Sequence, residues 1–305
     1  MPETSDCILL TVLGQPLRDR LVDAPFIEAK TVADVPAPDQ SRVRTIISSG
    51  VLKISAEDMD ALPNLGLIVT IGAGFDGVDM AAAQARGIRI ATGSGANAEE
   101  VADATVGLFL AAARRIVSND ARVRSGEWAP REIRPVRSVG AMSVGIVAMG
   151  HIGKAIAARL VPFHCQIAWT GPRAKPEVAF PFVPDLLDLA RRSDALIVAA
   201  PLNPETEGLI SAEVIEALGP EGLLVNIARG GVVDEDALIA ALKDGRLGGA
   251  ALDVFVQEPT PPERWRDVPN TVLSPHTAGI TYESMGAVLD LAASRAIAFL
   301  QEAGR

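Results

Sequence analysis

The feature that most constrains this chain is an alternation in which short apolar runs are followed, repeatedly, by stretches of helical period. Runs that read as strands lie at 7–13, 45–48, 67–71 and 88–91. A second series follows at 143–147, 166–169, 195–200, 223–227, 250–254 and 272–273. Several are apolar at consecutive rather than alternate positions, as in strands covered by helices on both faces. Helical periods occupy 56–62, 80–86, 152–161, 186–192, 213–218 and 235–243. Strand and helix in turn imply right-handed crossovers and parallel strands. The two series therefore predict an α/β chain of two doubly wound parallel-sheet domains. A length of 305 residues accords with that, at roughly 150 residues per domain.

Between the series runs a long, Ala-rich helical pattern from Asn97 to Val117. Asn97 is its expected N-cap, and Glu99, Glu100 and Asp103 sit near its positive end. Residues 122–138, with Gly126, Pro130 and Pro135, read as loop, and 282–302 is helical again. The expected arrangement has these two long helices crossing between the lobes. One domain is then 1–96 plus 281–305, and the other is an insertion of 97–280.

Charge narrows the function. Asp and Glu total 38 against 28 Lys and Arg, a net charge of −10. Neither nucleic acid nor a membrane surface is an expected partner, because both demand a positive field. Small anions fit only where arginines are placed locally. Arg131, Arg134 and Arg137 form one such cluster, either a solvated loop or a rim that attracts an anion. No apolar run approaches the ~18 residues of a membrane span. The first residues are acidic where a leader would be basic. Cys7 and Cys165 lack disulfide or metal-ligand spacing, so no metal is expected, and the location expected is cytoplasmic.

The sharpest local motif is the buried run Val144-Gly145-Ile146-Val147, then Ala148-Met149-Gly150-His151-Ile152-Gly153 opening a helix. That context fits a dinucleotide loop: Gly150 lets backbone approach a pyrophosphate, and Gly153 lets helix pack close to strand. The helix N-terminus adds N–H groups and partial positive charge. Ala148 replaces the usual first glycine, which a methyl group tolerates if the turn keeps φ negative. An ordinary tight strand–helix turn is the competing reading. About 20 residues on, where an NAD site usually places an acid, the chain reads Thr170-Gly171-Pro172-Arg173-Ala174-Lys175, with no acid before Glu177. Arg173 and Lys175 would attract a 2′-phosphate, so NADP(H) is favoured over NAD(H). Their competing role is as solvated loop cations.

Three later segments carry Arg, Glu and His at or just after strand ends: Asn226-Ile227-Ala228-Arg229-Gly230, Asp253-Val254-Phe255-Val256-Gln257-Glu258-Pro259, and Ser274-Pro275-His276-Thr277-Ala278. Carboxyl ends of parallel strands form the ligand crevice, so the three can converge although distant in sequence. Together with Gly72-Ala73-Gly74-Phe75-Asp76, the run Glu99–Gly107 and the loop at Gly150, they carry a resemblance. Over nearly its whole length the sequence resembles the D-isomer-specific 2-hydroxyacid dehydrogenases, in their glyoxylate/hydroxypyruvate reductase branch.

The resemblance implies a flavodoxin-like substrate domain and a Rossmann cofactor domain. It implies NADPH-dependent reduction of small 2-oxo acids (glyoxylate, hydroxypyruvate) to D-2-hydroxy acids, in a homodimer whose interface region includes Trp128. His276 would donate the proton, Glu258 would fix its ring, and Arg229 would fork onto the substrate carboxylate. Val51, Leu52, Ala73 and Gly74 would line the substrate side with Arg229 and His276, and Gly50 precedes them. Cofactor contacts would come from Thr105, Met149, Gly150, His151, Ile152, Gly171, Pro172, Arg173, Pro201, Thr206, Ile227, Ala228, Arg229, Asp253, His276 and Ala278. Asp253 would accept from the nicotinamide amide. Leu52, Phe75, Tyr282, Trp128 and Trp265 are either pocket-shaping or plain packing residues. Two alternatives stand beside this reading: a dinucleotide-gated regulatory module on the same fold, and an NAD-linked dehydrogenase of a larger 2-hydroxy acid.

Overall fold

The computed structural model describes residues 6–11, 14–128 and 135–303. Its strands are β1 (Cys7–Leu10), β2 (Phe26–Glu28), β3 (Val43–Ser49), β4 (Leu67–Ile71), β5 (Arg89–Thr92), β6 (Ser143–Val147), β7 (Gln166–Thr170), β8 (Ala195–Val198), β9 (Leu223–Asn226), β10 (Gly249–Leu252) and β11 (Thr271–Leu273). The helices are α1 (Gln15–Arg18), α2 (Ala37–Gln40), α3 (Ala56–Asp60), α4 (Met80–Ala85), α5 (Ala98–Ala113), α6 (Ile116–Ser125), α7 (His151–Leu160), α8 (Leu186–Arg191), α9 (Ala212–Leu218), α10 (Glu235–Lys243), α11 (Pro262–Trp265) and α12 (Tyr282–Ala303). Contacts divide the chain into two units, Met1–Asn97 with Ile280–Arg305, and Ala98–Gly279.

In the first unit five parallel strands lie in the order β2-β1-β3-β4-β5. This is the flavodoxin order, with its reversal at β1/β3. Successive strand residues feed opposite faces, and both faces are apolar. Cys7, Leu9, Ile46 and Ile68 pack with Met59, Leu62 and Ala83, while Ile8, Leu10, Ile47 and Val69 pack with Leu289, Ala292 and Ala296 of α12. That is why the strands read as continuous apolar runs. β2 escapes the sequence reading because its three residues are half-exposed or exposed.

The second unit holds six parallel strands ordered β11-β10-β9-β8-β6-β7. A single bridge, Trp169 to Phe182, continues the edge beyond β7. The order reverses at β6/β8, the point where such sheets take their ligands. Val101, Ala102 and Phe109 of α5 cover one face with Ile156 and Leu160 of α7; Leu189, Ile215 and Leu238 cover the other from α8, α9 and α10. Each fully buried Val, Leu or Ile side chain contributes about 1.5–3 kcal/mol, so aliphatic residues, with Ala filling the close contacts, line both faces in a chain with 4% aromatics.

The long helix read at 97–117 is in fact two. α5 ends at Ala113, Arg115 adopts a left-handed conformation with φ 52, and α6 begins at Ile116. The segment read as loop from 122 is helical to Ser125. Gly126 ends it at φ 78, where the Gly126 and Glu127 N–H groups donate to Val123 O and Arg122 O, a left-handed glycine cap. Asn97 Oδ1, expected to cap the helix, is buried with no hydrogen-bond partner among the described residues. Arg131 and Arg134 lie outside the described residues, as does Pro130. Arg137 pairs with Asp194, whose other oxygen accepts from the Ser143 N–H at 2.7 Å, which makes Arg137 a brace at the start of β6. Among the described residues no helix is long and apolar enough to cross a membrane.

Candidate active site

β9 delivers the arginine. Its last residue, Asn226, is 1% exposed and closes a turn on itself: Oδ1 accepts from the Ala228 N–H at 3.1 Å and Nδ2 donates to Arg229 O at 2.9 Å. A side-chain amide that satisfies both ends of a turn fixes the residue it encloses. Arg229 leaves that turn half-buried, with NH1 donating to Ala228 O at 2.7 Å. The sequence reading did not single out Asn226, although an Asn directly before a strand-end turn is an Asx signal.

β10 and β11 deliver the other two groups. His276 Nδ1 lies 2.6 Å from Glu258 Oε2, and Glu258 Oε1 accepts from the Phe255 N–H at 3.0 Å. Both side chains are about one-third exposed, 38% and 32%, so the pair is held but open on one side. His276 sits at φ 55, a conformation a β-carbon disfavours by roughly 1–2 kcal/mol. Asp253 holds it there. The Asp253 carbonyl accepts from the His276 N–H at 2.7 Å, and its two carboxylate oxygens accept from the N–H groups of Thr277 (2.9 Å) and Ala278 (3.0 Å). Asp253 is 1% exposed. The carboxylate expected to meet a nicotinamide amide is thus first the brace of the histidine turn, and the Ala278 N–H is already committed to it.

The Arg229 turn and the Glu258 loop touch. A β-carbon on Gly230 would fall 1.9 Å from Phe255 C and 2.2 Å from Val256 N, an approach that only glycine permits. Trp265 packs edge-on to Phe255 at 5.7 Å and donates from Nε1 to Thr260 Oγ1 at 3.1 Å. It is therefore packing beneath the loop, not pocket lining.

The dinucleotide-loop residues lie at the β6/β8 reversal. Gly150 precedes α7 at φ −82, with no side chain capping the helix and nothing within 4 Å of where a β-carbon would stand. Unclaimed helix N-terminal N–H groups beside open backbone suit a pyrophosphate, so the residues fit the cofactor that the loop suggests. A β-carbon on Gly153 would stand 2.3 Å from Ala148 O, so this glycine is required for helix–strand contact. The expectation for Ala148 fails: its φ is +74, a glycine conformation that this alanine adopts at a steric cost. Met149 is buried, while His151 and Arg173 are exposed. Lys175 Nζ donates to Met149 O at 2.8 Å, tying the loop after β7 to the loop after β6. Lys154 pairs with Glu177 at 3.1 Å. A backbone N–H and then Lys154 hold the Glu177 carboxyl below the ordinary range.

Thr105 is fully buried, and its hydroxyl donates to Val101 O at 2.6 Å. Its O–H proton is thus used inside α5, and the lone pairs of Oγ1 are what it has left to offer a ligand. Thr206 Oγ1 donates to Pro201 O at 2.5 Å and accepts from the Asn203 N–H at 2.9 Å, so it staples the turn after β8. Ile227 and Ala228 are buried at 6% and 9%. Gly171 and Pro172 follow β7, where a β-carbon on Gly171 would rest on the Trp169 ring at 3.4 Å.

In the first unit, two loops meet at the carboxyl ends of β3 and β4. A β-carbon on Gly50 would lie 2.1 Å from Gly74 O, the Gly77 N–H donates to Gly50 O at 2.8 Å, and Gly72 has φ 85. This places Val51 and Leu52 beside Ala73 and Gly74, with Val51 exposed. Phe75 packs against the core beneath, and Tyr282 is 96% exposed.

The NAD-binding domain of the D-isomer-specific 2-hydroxyacid dehydrogenases matches residues 106–278. The chain is 40% identical over 252 residues to glyoxylate/hydroxypyruvate reductase A of Arabidopsis thaliana, covering 83% of this chain and 80% of that one. It is 38% identical over 295 residues to 2-ketogluconate reductase of Gluconobacter oxydans, covering 96% and 94%. Among solved structures, the NADPH-dependent glyoxylate/hydroxypyruvate reductase of Sinorhizobium meliloti, in complex with NADP and malonate, aligns at 34% identity. Its TM-score is 0.88, covering 97% of this chain and 94% of that one.

Proposed function

Since the chain belongs to the D-isomer-specific 2-hydroxyacid dehydrogenases, we propose that it reduces glyoxylate and hydroxypyruvate to D-2-hydroxy acids, with NADPH the preferred donor. It is an NAD(P)-dependent enzyme by membership. The observation that carries the proposal is the His276–Glu258 contact of 2.6 Å, on a turn braced by Asp253 and linked through the Glu258 loop to the Arg229 turn.

Bound reduced nicotinamide supplies a hydride to the carbonyl carbon. The residues of the chain do the rest. Protonated His276 gives its Nε2 proton to the carbonyl oxygen as that oxygen becomes an alcohol. Its Nδ1–H stays bonded to Glu258, which keeps the ring oriented. Arg229 offers a rigid fork of donors to the substrate carboxylate, against the negative charge of the chain as a whole. Gly150 and the start of α7 would hold the pyrophosphate, with Met149, His151 and Ile152 as the adjoining loop and first-turn residues. Arg173, exposed beyond Gly171 and Pro172, would hold a 2′-phosphate, while Lys175 ties the neighbouring loop through Met149 O. Ile227, Ala228 and Pro201 would flank the bound dinucleotide. Within the other unit, the backbone N–H groups of Ala73 and Gly74 and the side chains of Val51 and Leu52, gathered at the ends of β3 and β4, are the groups the family resemblance assigns to the substrate side. We propose a homodimer in solution, which is supported by the apolar side chains that α6 and the stretch after it expose: Ile116, Val117, Val123 and Trp128, the last at 69%.

Steady-state oxidation of NADPH and NADH with glyoxylate, hydroxypyruvate and a bulkier 2-oxo acid tests the reading. Turnover is expected to be highest for the two small acids, with a lower KM for NADPH. Absence of turnover with every acid, despite dinucleotide binding, leaves the regulatory module as the answer.

A further inference from the structure

We propose that Glu235, the first residue of α10, is a positioning residue for this reduction, gripping the loop that carries Glu258 and thereby setting the contact with His276. The proposal rests on the catalytic reading above, and its test separates the two.

An acid in the first turn of a helix ordinarily needs no explanation beyond the dipole. Glu235 differs from its neighbour Asp236 in being buried, at 7% exposure, where an unpaired carboxylate is costly. Its two oxygens are divided between unlike partners. Oε2 accepts from the Val256 N–H at 3.0 Å, and Oε1 takes a short bond from Arg264 Nε. Arg264 also donates from NH2 to Asp236 at 2.7 Å, so the guanidinium neutralises the buried acid without leaving the surface.

The peptide that Glu235 grips lies between Phe255 and Val256. The same peptide faces Gly230, beside Arg229, on its carbonyl carbon and nitrogen. The preceding N–H, that of Phe255, donates to Glu258 Oε1. One peptide plane thus touches the arginine turn, is held by Glu235, and adjoins the amide that orients Glu258. If Glu235 lets go, the plane is free to rotate off Gly230, and the Phe255 N–H that aligns Glu258 turns with it. The effect reaches the reacting atoms only through Glu258 and His276.

The test uses the full-length enzyme with three readouts: kcat for 2-oxo acid reduction, dinucleotide Kd by NADPH fluorescence, and the downfield proton resonance of the His276 Nδ1–H···Glu258 bond at low temperature. His276→Gln assigns that resonance. Glu235→Ala is expected to lower kcat by about 10- to 100-fold, the cost of a small misplacement. Kd should stay within about 2-fold, and the resonance should vanish. If Glu235→Ala does not fold, Glu235→Asp replaces it, keeping the charge beside Arg264 while falling short of Val256, with the same expectations. The double variant Glu235→Gln with Arg264→Met keeps an acceptor for Val256 and strands no guanidinium. It is expected to restore both kcat and the resonance. Wild-type kcat with the resonance intact in Glu235→Ala overturns the proposal. So does a loss of kcat matched by weaker dinucleotide binding and not restored in the double variant, since that is a merely structural role. If the unmodified protein turns over no 2-oxo acid, the catalytic reading fails, and the resonance alone decides whether Glu235 sets the His276–Glu258 contact.

Discussion

Two glycines three residues apart in the dinucleotide loop make opposite demands, and replacing each with alanine separates folding from binding. At Gly153 a β-carbon would stand 2.3 Å from Ala148 O, about 1 Å short of ordinary contact. The obstacle is backbone, so α7 has to lift from β6. Overpacking of this kind costs about 1–3 kcal/mol, which lowers Tm by roughly 2–12 °C for a unit of this size. At Gly150 nothing lies within 4 Å and φ is −82, so alanine fits the ligand-free protein. Its weaker N-cap preference and the reduced entropy of the unfolded chain offset one another to within about 1 kcal/mol. The methyl group then occupies the space where a pyrophosphate would approach. Losing one charge-assisted hydrogen bond there costs about 1.5–3 kcal/mol, an affinity loss of about 10- to 100-fold. Calorimetry without ligand and NADPH fluorescence titration measure the two effects. Gly153→Ala should lose stability and affinity, Gly150→Ala affinity alone. Unchanged NADPH affinity in Gly150→Ala would falsify the placement of the pyrophosphate, and an unchanged Tm in Gly153→Ala would refute the packing argument.

His276→Ala is expected to lower kcat by at least about 100-fold, the scale of general acid catalysis, with dinucleotide Kd unchanged; near-normal turnover removes the histidine from the chemistry. Arg173→Glu should raise the KM for NADPH by about 10-fold or more while leaving NADH little affected, because it sets a carboxylate against a 2′-phosphate; equal effects on both cofactors contradict the clamp. On β1, burial pushes the Cys7 thiol up from 9.0 to about 11, with Arg42 opposing weakly and Asp39 and Asp6 adding slightly. A pKa raised by folding favours the folded state below the unfolded value, and that advantage disappears as pH climbs from about 9 to 11. The loss is on the order of 3 kcal/mol at most. Urea denaturation across that window should show this alkaline decline in the wild type and its absence in Cys7→Ala, and parallel declines in the two would rule it out.

How much of this was legible follows from what each feature leaves in the sequence. Strands buried on both faces leave unbroken apolar runs, so β3, β4, β6, β8 and β9 stand out within a residue or two of their ends, and the two-sheet α/β class follows. β2 leaves no such trace, because an edge strand exposed on one side resembles a loop. The break at Arg115 was invisible for another reason: a left-handed arginine has no propensity signal, and Arg114 and Arg115 are ordinary helix formers between Ala113 and Ile116. Ala148 taught the reverse lesson. The sequence rule that φ > 0 calls for glycine was sound physics, but the fold overrode it, because the loop between β6 and α7 is fixed from both sides.

The same contrast holds within the candidate site. Arg229, Glu258 and His276 were nameable as an ordered set at or just after strand ends behind a dinucleotide loop, and through the family resemblance that set carries; each alone is a weak signal. The residues that aim them were not: Asn226, Asp253 and Glu235 act through backbone amides, and an acceptor for an N–H carries no mark of which N–H it serves. Asp253 was picked out, but for a ligand contact rather than for the turn it builds. A histidine at φ 55 needs something to hold it there, and three bonds from one aspartate supply it. Side chains that do chemistry are therefore the more readable half of such a site, and the other half is written in hydrogen bonds to the main chain, which only coordinates reveal.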